Sequence, residues 1–286
     1  VTLLVVLGLA ACSSSSSSST PSRSGSTQSA HATGTTPAAK TLIKAANGVP
    51  LTADPDRVVS LSAASTEDLF AIGAGRQVVA ADEYSTYPPD APRTTMSGFE
   101  PNVEAIAKYH PDLVVISQNV DQIEPQLAAL RIPVLDEPAP NNLTGAYAQI
   151  AQLGQATAHA SQAALVIAGM RRQVATIVAS VPKQNPPLSV YQELDQTYYS
   201  ASSDTFIGQL YAGLGLSNIA DRATKASVYP QLSSEYIIAS DPDLIVLADT
   251  VCCGQSQRTV AARPGWSKIA AVKDHAVLAV NDSVAS

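Results

Sequence analysis

Three cysteines in 286 residues are too few for a disulfide scaffold. Only 17 residues are Lys or Arg against 24 Asp or Glu, a formal net charge of −7. That balance excludes the concentrated positive charge of a nucleic-acid-binding surface. Charged residues make up 14% of the chain, which excludes a highly charged disordered polymer. No uninterrupted apolar run reaches the ~18–20 residues of a membrane span. The histidines His31, His110, His159 and His275 are far apart, and no pair has metal-ligand spacing. His110 and His275 fall where turns are expected and read as solvated. Nucleophile elbow, phosphate-binding loop, dinucleotide fingerprint and zinc-protease helix are all missing. No catalytic residue, resident cofactor or metal is therefore expected.

The amino terminus is organised as an address. Val1 to Ala11 is an apolar stretch closing on Leu9-Ala10-Ala11-Cys12, and it reads as the end of a secretory signal without its basic start. Small residues before Cys12 resemble a bacterial lipobox, which makes Cys12 the expected lipidation site. Ser13 to Ser19 are consecutive serines, and Ser, Thr, Pro, Gly and Ala continue to Lys40. Such a segment buries too little apolar surface to fold and behaves as a tether with a mean reach of roughly 30 Å. The expected divisions are a leader remnant over 1–12, a tether over 13–40, an N-terminal lobe over 41–141, a connecting helix over 142–182 and a C-terminal lobe over 183–286. A lipid-anchored monomer on the extracytoplasmic face of the cell membrane follows.

From Arg57 onward the pattern is α/β. Short apolar strands are expected at Arg57–Ser62, Gln77–Ala81, Leu113–Ile116 and Ile132–Leu135, alternating with helices. From Asn142 to Val181 apolar residues recur at helical spacing with little punctuation. The spacing predicts one helix, roughly 57 Å long at 1.5 Å per residue, joining two bodies. After Pro186-Pro187 the alternation resumes, with strands expected at Leu188–Leu194, Leu244–Leu247 and Ala276–Val280. Parallel sheets flanked by helices, in two Rossmann-like lobes with a ligand cleft between them, are the expected fold.

An internal repeat supports two related lobes. Val103-Glu-Ala-Ile-Ala-Lys-Tyr-His-Pro-Asp-Leu-Val-Val-Ile116 aligns without gaps with Ser234-Glu-Tyr-Ile-Ile-Ala-Ser-Asp-Pro-Asp-Leu-Ile-Val-Leu247. Asp112 and Asp243 read as capping or turn-forming residues. Glu104 and Glu235 occupy equivalent places in the first turn of each helix, where a carboxylate favours the macrodipole. They are also matched charges, one per lobe, suited to a partner with twofold symmetry.

Aromatics mark the expected ligand edge. Tyr84 and Tyr87 follow the second strand, Phe99 precedes the first repeat helix, Tyr198 and Tyr199 follow the strand after the long helix, and Tyr229 precedes the second repeat helix. In open α/β sheets the crevice lies beyond the strands' carboxyl ends, and Tyr offers an apolar face with a polar tip. Glu193 and Asp195 lie on one face at period two; acid–base work, a ligand hydroxyl and simple solvation are all open to them. Cys252-Cys253 is either a free pair or a labile disulfide.

These residues together resemble the bacterial ABC-transporter solute-binding proteins for iron–siderophores, haem and cobalamin, from about Arg57 to Val280. The matching pieces are Arg57-Val-Val-Ser-Leu-Ser with Thr66-Glu67, Tyr84-Ser-Thr-Tyr-Pro-Pro, Asn102-Val-Glu104 with Pro111-Asp-Leu, Ser234-Glu235 with Pro242-Asp-Leu, and Pro264-Gly-Trp266 leading to Val277. The resemblance implies that Glu104 and Glu235 dock on arginines of a dimeric permease served by ATPase subunits. It also implies a ligand held by Tyr84, Tyr87, Phe99, Tyr198, Tyr199 and Tyr229, with Trp266 as packing. An iron(III) chelate is the leading ligand, and cobalamin or haem the alternative. Cobalamin binders carry Trp at Phe99 and Tyr229, haem binders often Tyr at Phe99, and binders of anionic siderophores cleft arginines, for which Arg93, Arg222 and Arg258 are candidates. A bilobal metal-binding enzyme is the remoter reading. Family members usually continue with a helix beyond Val280, so the sequence reads as truncated at both ends.

Overall fold

The computed structural model describes residues 44–51, 54–223 and 227–281. The expected leader with Cys12 and the tether over 13–40 lie outside the described residues. Each half builds a four-stranded parallel sheet. β1 (Val58–Leu61), β2 (Val78–Ala81), β3 (Leu113–Ile116) and β4 (Val134–Asp136) lie in the order β2-β1-β3-β4. β5 (Ser189–Glu193), β6 (Ser217–Asn218), β7 (Leu244–Leu247) and β8 (Val277–Ala279) lie in the order β6-β5-β7-β8. The two orders are the same, so the expected pair of α/β lobes is what the chain forms. Each sheet has its topological switch beside its central first strand, where ligands bind such sheets beyond the carboxyl ends.

β2, β3 and β7 read as continuous apolar runs, the pattern of parallel strands buried on both faces. On one face of the N-terminal sheet, Val58, Leu113 and Val115 pack with Leu69 of α1 (Ala63–Ala71) and with Ile150 and Leu153 of α4 (Leu143–Ala156). On the other, Val59, Leu61, Val114 and Ile116 pack with Ile106 of α2 (Val103–Ala107) and with Ile123 and Leu127 of α3 (Ile123–Ala129). The C-terminal sheet packs Tyr191, Ile245, Leu247 and Val277 against Ile237 of α7 (Ser234–Ser240), Val260 of α8 (Gln257–Ala261), Trp266, and Val272 of α9 (Ala270–Lys273). Its other face is more open: Leu278 of β8 and Leu210 of α6 (Phe206–Gly213) are exposed.

The repeat extends to hydrogen bonds. β1 pairs with β3 and β5 with β7 in the same relative register, Val58 opposite Leu113 and Val190 opposite Leu244. Asp112 Oδ2 accepts the N–H groups of Asp56 and Arg57, each at 3.1 Å. Asp243 Oδ2 accepts the Ser189 N–H and hydroxyl, each at 2.7 Å. The Asp of each Pro-Asp-Leu therefore clasps the start of the neighbouring strand instead of forming its own turn. His110 and Asp241, each directly ahead of its proline, both lie in the left-handed region, with φ of 47° and 44°, Asp241 as the cap of α7.

The single connecting helix expected over 142–182 is corrected. It is two helices, α4 and α5 (Ala160–Ser180), broken at Thr157-Ala158-His159, where Ala158 has φ of 61°. The Thr157 hydroxyl bonds the Leu153 carbonyl at 2.8 Å, and His159 N–H bonds the Gly154 carbonyl at 2.6 Å. The two helices fold back on each other. A Cβ on Gly154 would collide with the Ala163 Cβ, and Arg171 stacks on the Tyr147 ring at 5.0 Å. The span of α5 is about 30 Å. By length and composition α5 is apolar enough to cross a membrane, although Arg171 and Arg172 interrupt its apolar run. Its Ala163, Val166, Ile167 and Met170 form an i, i+3, i+4, i+7 stripe packed on the N-terminal core.

Candidate functional site

Both sheets end in buried polar anchors that hold up aromatic loops. In the N-terminal lobe, Thr66 on α1 gives its hydroxyl to Ser60 Oγ at 2.8 Å and meets Ser85 Oγ at 2.8 Å. Ser85 in turn donates to Asp82 Oδ1 at 2.6 Å. Thr66, Asp82 and Ser85 are buried, while Tyr84 between them is 54% exposed. Burial, partly offset by the Ser85 bonds, raises the Asp82 pKa. Returning from Arg93, the chain is tied by Glu83 N–H to the Met96 carbonyl at 2.8 Å. Gly98 then passes so close to the Leu61 carbonyl oxygen that a Cβ would collide with it. That approach sets Phe99 edge-on to Tyr84, ring centroids 5.5 Å apart. Tyr87 stands exposed on the same loop.

In the C-terminal lobe the loop after β5 is paired with the loop before α7. Leu232 N–H bonds the Tyr198 carbonyl at 3.0 Å, Ser200 N–H bonds the Pro230 carbonyl at 2.9 Å, and Tyr199 bridges Gln231. Tyr199 and Tyr229 are consequently exposed on neighbouring segments. Tyr198 differs from the other aromatics. At φ of 69° it is turned back onto Trp266, 5.6 Å between centroids, with the Arg263 guanidinium 5.4 Å from its ring.

Arg263 is the residue that sequence reasoning missed. Its two terminal nitrogens grip Glu193 Oε2 and Oε1 at 2.6 Å each, and it stacks on Trp266 at 4.5 Å. Glu193 is fully buried, and the Tyr191 hydroxyl donates to it at 3.2 Å. Burial opposes the Arg263 charge, but the bonds to Glu193 outweigh it and hold the pKa above the usual value. Asp249, after β7, is also fully buried, and neither of its oxygens meets a hydrogen-bond donor among the described residues. Burial and the Glu193 charge push its pKa up to about 6. Asp195 does not join Glu193: its carboxylate accepts from the Thr197 N–H at 2.7 Å. The only advance sign of Arg263 was its place immediately before the Pro264-Gly-Trp266 motif.

Glu104 and Glu235 are each the second residue of their helices, exposed, and without an ion pair among the described residues. Glu104 lies on an open groove of about 820 Å³ between α2 and α3, lined also by Val103, Ala107, Lys108 and Leu130. Arg93, Arg222 and Arg258 are exposed. Among the described residues no group of three or more His, Cys, Asp or Glu is placed to hold a metal ion.

Two parallel-sheet lobes of one topology, each carrying aromatics at its carboxyl edge, define a bilobal α/β solute-binding fold. The same architecture occurs in the periplasmic heme-binding protein HutB of Vibrio cholerae, at a TM-score of 0.72 and 23% identity over 80% of this chain and 90% of that one. The sequence matches the periplasmic binding protein family over residues 58–283, and the chain belongs to that family. It is 34% identical over 204 residues to a cobalamin-binding protein of Halobacterium salinarum, a match covering 69% of this chain and 55% of the relative. The chain thus spans about half the length of that curated relative. It is also 29% identical to the uncharacterized ABC transporter substrate-binding lipoprotein YvrC of Bacillus subtilis, over 82% of this chain and 75% of the relative. The family and these relatives are binding proteins, not enzymes.

Proposed function

We propose that this protein is the extracytoplasmic solute-binding component of an ABC importer, lipid-anchored through Cys12, that carries a bulky metal chelate to its permease. The observation that carries this reading is the pair of aromatic edges. Tyr84, Tyr87 and Phe99 on one lobe and Tyr199 and Tyr229 on the other are exposed beyond the carboxyl ends of two like sheets. Exposed aromatic faces with polar tips suit a broad, partly polar ligand such as an iron(III)–siderophore chelate. A corrinoid is the second reading, favoured by the relatives named for cobalamin and vitamin B12. Tyr198 supports the edge from behind. Glu104 and Glu235 are the docking charges, and the groove beside Glu104 gives the permease a concave surface as well as a charge.

Intrinsic-fluorescence titration of the protein in mild detergent with a ferric siderophore, cyanocobalamin and haemin, each separately, tests the reading. Saturable one-to-one quenching by one class is expected and names the cargo. Saturable quenching by none of them refutes it. Reversing both charges, Glu104→Arg with Glu235→Arg, is expected to abolish uptake and leave the titration unchanged; intact uptake removes the docking assignment.

A further inference from the structure

Cys252 and Cys253, sequence neighbours, are joined as a disulfide. Their loop, residues 249–255, leaves the carboxyl end of β7, on the same edge from which the Tyr198–Tyr199 segment leaves β5. Both ends of the loop are fixed. Gln255 N–H bonds the Asp249 carbonyl at 3.2 Å, Gln255 Oε1 accepts from Arg263 Nη2 at 2.7 Å, and the Thr250 hydroxyl bonds the Val280 carbonyl at 2.8 Å. Arg263 also stacks on Tyr198, so the loop and the tyrosine segment share one support. The loop also exposes apolar and sulfur surface: Val251 is 69% exposed, Cys252 is exposed and Cys253 is half-buried. Adjacent residues hold the two Cα atoms 3.8 Å apart, below the range of roughly 4.4–6.8 Å usual for disulfides, and a ring so closed is the more easily reduced.

We propose that this loop is a wall of the ligand site and that its disulfide is a redox-sensitive contact. The oxidised ring holds Val251 and the sulfurs against the ligand; reduction to two thiols releases the loop and weakens binding. The inference rests on the binding-protein reading above. The reductant is an external dithiol. One of its thiolates attacks a sulfur of the pair, giving a mixed disulfide and a cysteine thiolate, which takes a proton. The second thiolate resolves the mixed disulfide, so two electrons and two protons end on the cysteines and the reductant leaves as a cyclic disulfide.

The test titrates the full chain in mild detergent with a ferric hydroxamate siderophore, cyanocobalamin and haemin. The protein is oxidised with diamide, or reduced with dithiothreitol and desalted without oxygen, or carries Cys252→Ser with Cys253→Ser. Alkylation and mass measurement verify the thiol state, and circular dichroism verifies the fold. One probe is expected to bind the oxidised protein, with Kd raised by about tenfold on reduction and in the variant. Diamide is expected to restore tight binding to the reduced protein and to have no effect on the variant. Equal Kd in all states overturns the redox-sensitive contact and leaves the carrier function standing. Binding of no probe by the oxidised protein overturns both. Free thiols at Cys252 and Cys253 after diamide overturn the disulfide.

Discussion

Leu61 and Glu193 occupy the same place in the two lobes, the carboxyl end of the central strand, one opposite Ile116 and the other opposite Leu247. Leu61 is an ordinary core residue of the N-terminal lobe. Glu193, equally buried, is a charge held by Arg263 between two aromatic rings. One topology thus fills the same strand-end position in two ways, with hydrocarbon in one lobe and with an ion pair in the other. The ion pair is the costlier solution, because both charges leave water. What it adds is reach: Arg263 connects β5, Tyr198, Trp266 and the loop ending at Gln255, which an aliphatic side chain cannot do.

The largest effect expected from breaking this contrast is in Arg263→Ala. It strands Glu193 in the core and should destabilise the C-terminal lobe by about 3–5 kcal/mol, read as a lower urea midpoint. The double change Glu193→Leu with Arg263→Leu makes the edge resemble the N-terminal lobe. It should recover most of that loss while leaving ligand affinity impaired. A double variant as unstable as the single one would show that the pair's geometry, and not the stranded charge, sets the cost.

A smaller effect sharpens what the lobes share. Asp112→Ala and Asp243→Ala each remove an acceptor of two hydrogen bonds donated by the start of a central strand. Each should cost about 1–3 kcal/mol in thermal or urea unfolding, Asp243 the more, since its bonds are shorter. Equal loss from turn-only substitutions of Pro111 or Pro242 would return these residues to local turn formation.

The last effect is read against pH and concerns acids left without a cation. In the N-terminal lobe, burial, then Asp68 and Asp136, push Glu137 up to about 8; burial, then Glu67, pushes Asp68 to about 7. Between pH about 5 and about 8 the folded state therefore holds protons that unfolded carboxyls have released, so stability falls as pH rises through that window. Glu137→Gln should flatten the fall in melting temperature between pH 5.5 and 8. An unchanged slope would mean that Glu137 is charged in the folded protein.

Much of the fold was legible because its signals are local. Leu113–Ile116 and Leu244–Leu247 are apolar runs of β-branched and aliphatic residues bounded by Pro-Asp and polar turns, and each forms the strand expected there. The helix break at Ala158 was not legible. No Gly or Pro marks it, and Ala in the left-handed region is held there by contacts between α4 and α5 that are not written in the local sequence. Short elements with no run to betray them, such as β6 and α8, were missed for a related reason: two residues and one turn carry no period.

For the site, the sequence by itself determined the repeat, the two lobes, the exposed glutamates at matched helix starts and most of the aromatic edge. Each depends on residue type and spacing along the chain, which pattern records directly. Tertiary structure alone decided that Glu193 is buried on Arg263 across 70 positions of sequence, that Asp195 is not its partner, and that Tyr198 faces Trp266 while Tyr199 stays exposed. Whether a charge is solvated or paired, and whether a ring is a surface or a support, depends on which distant segments fold against it.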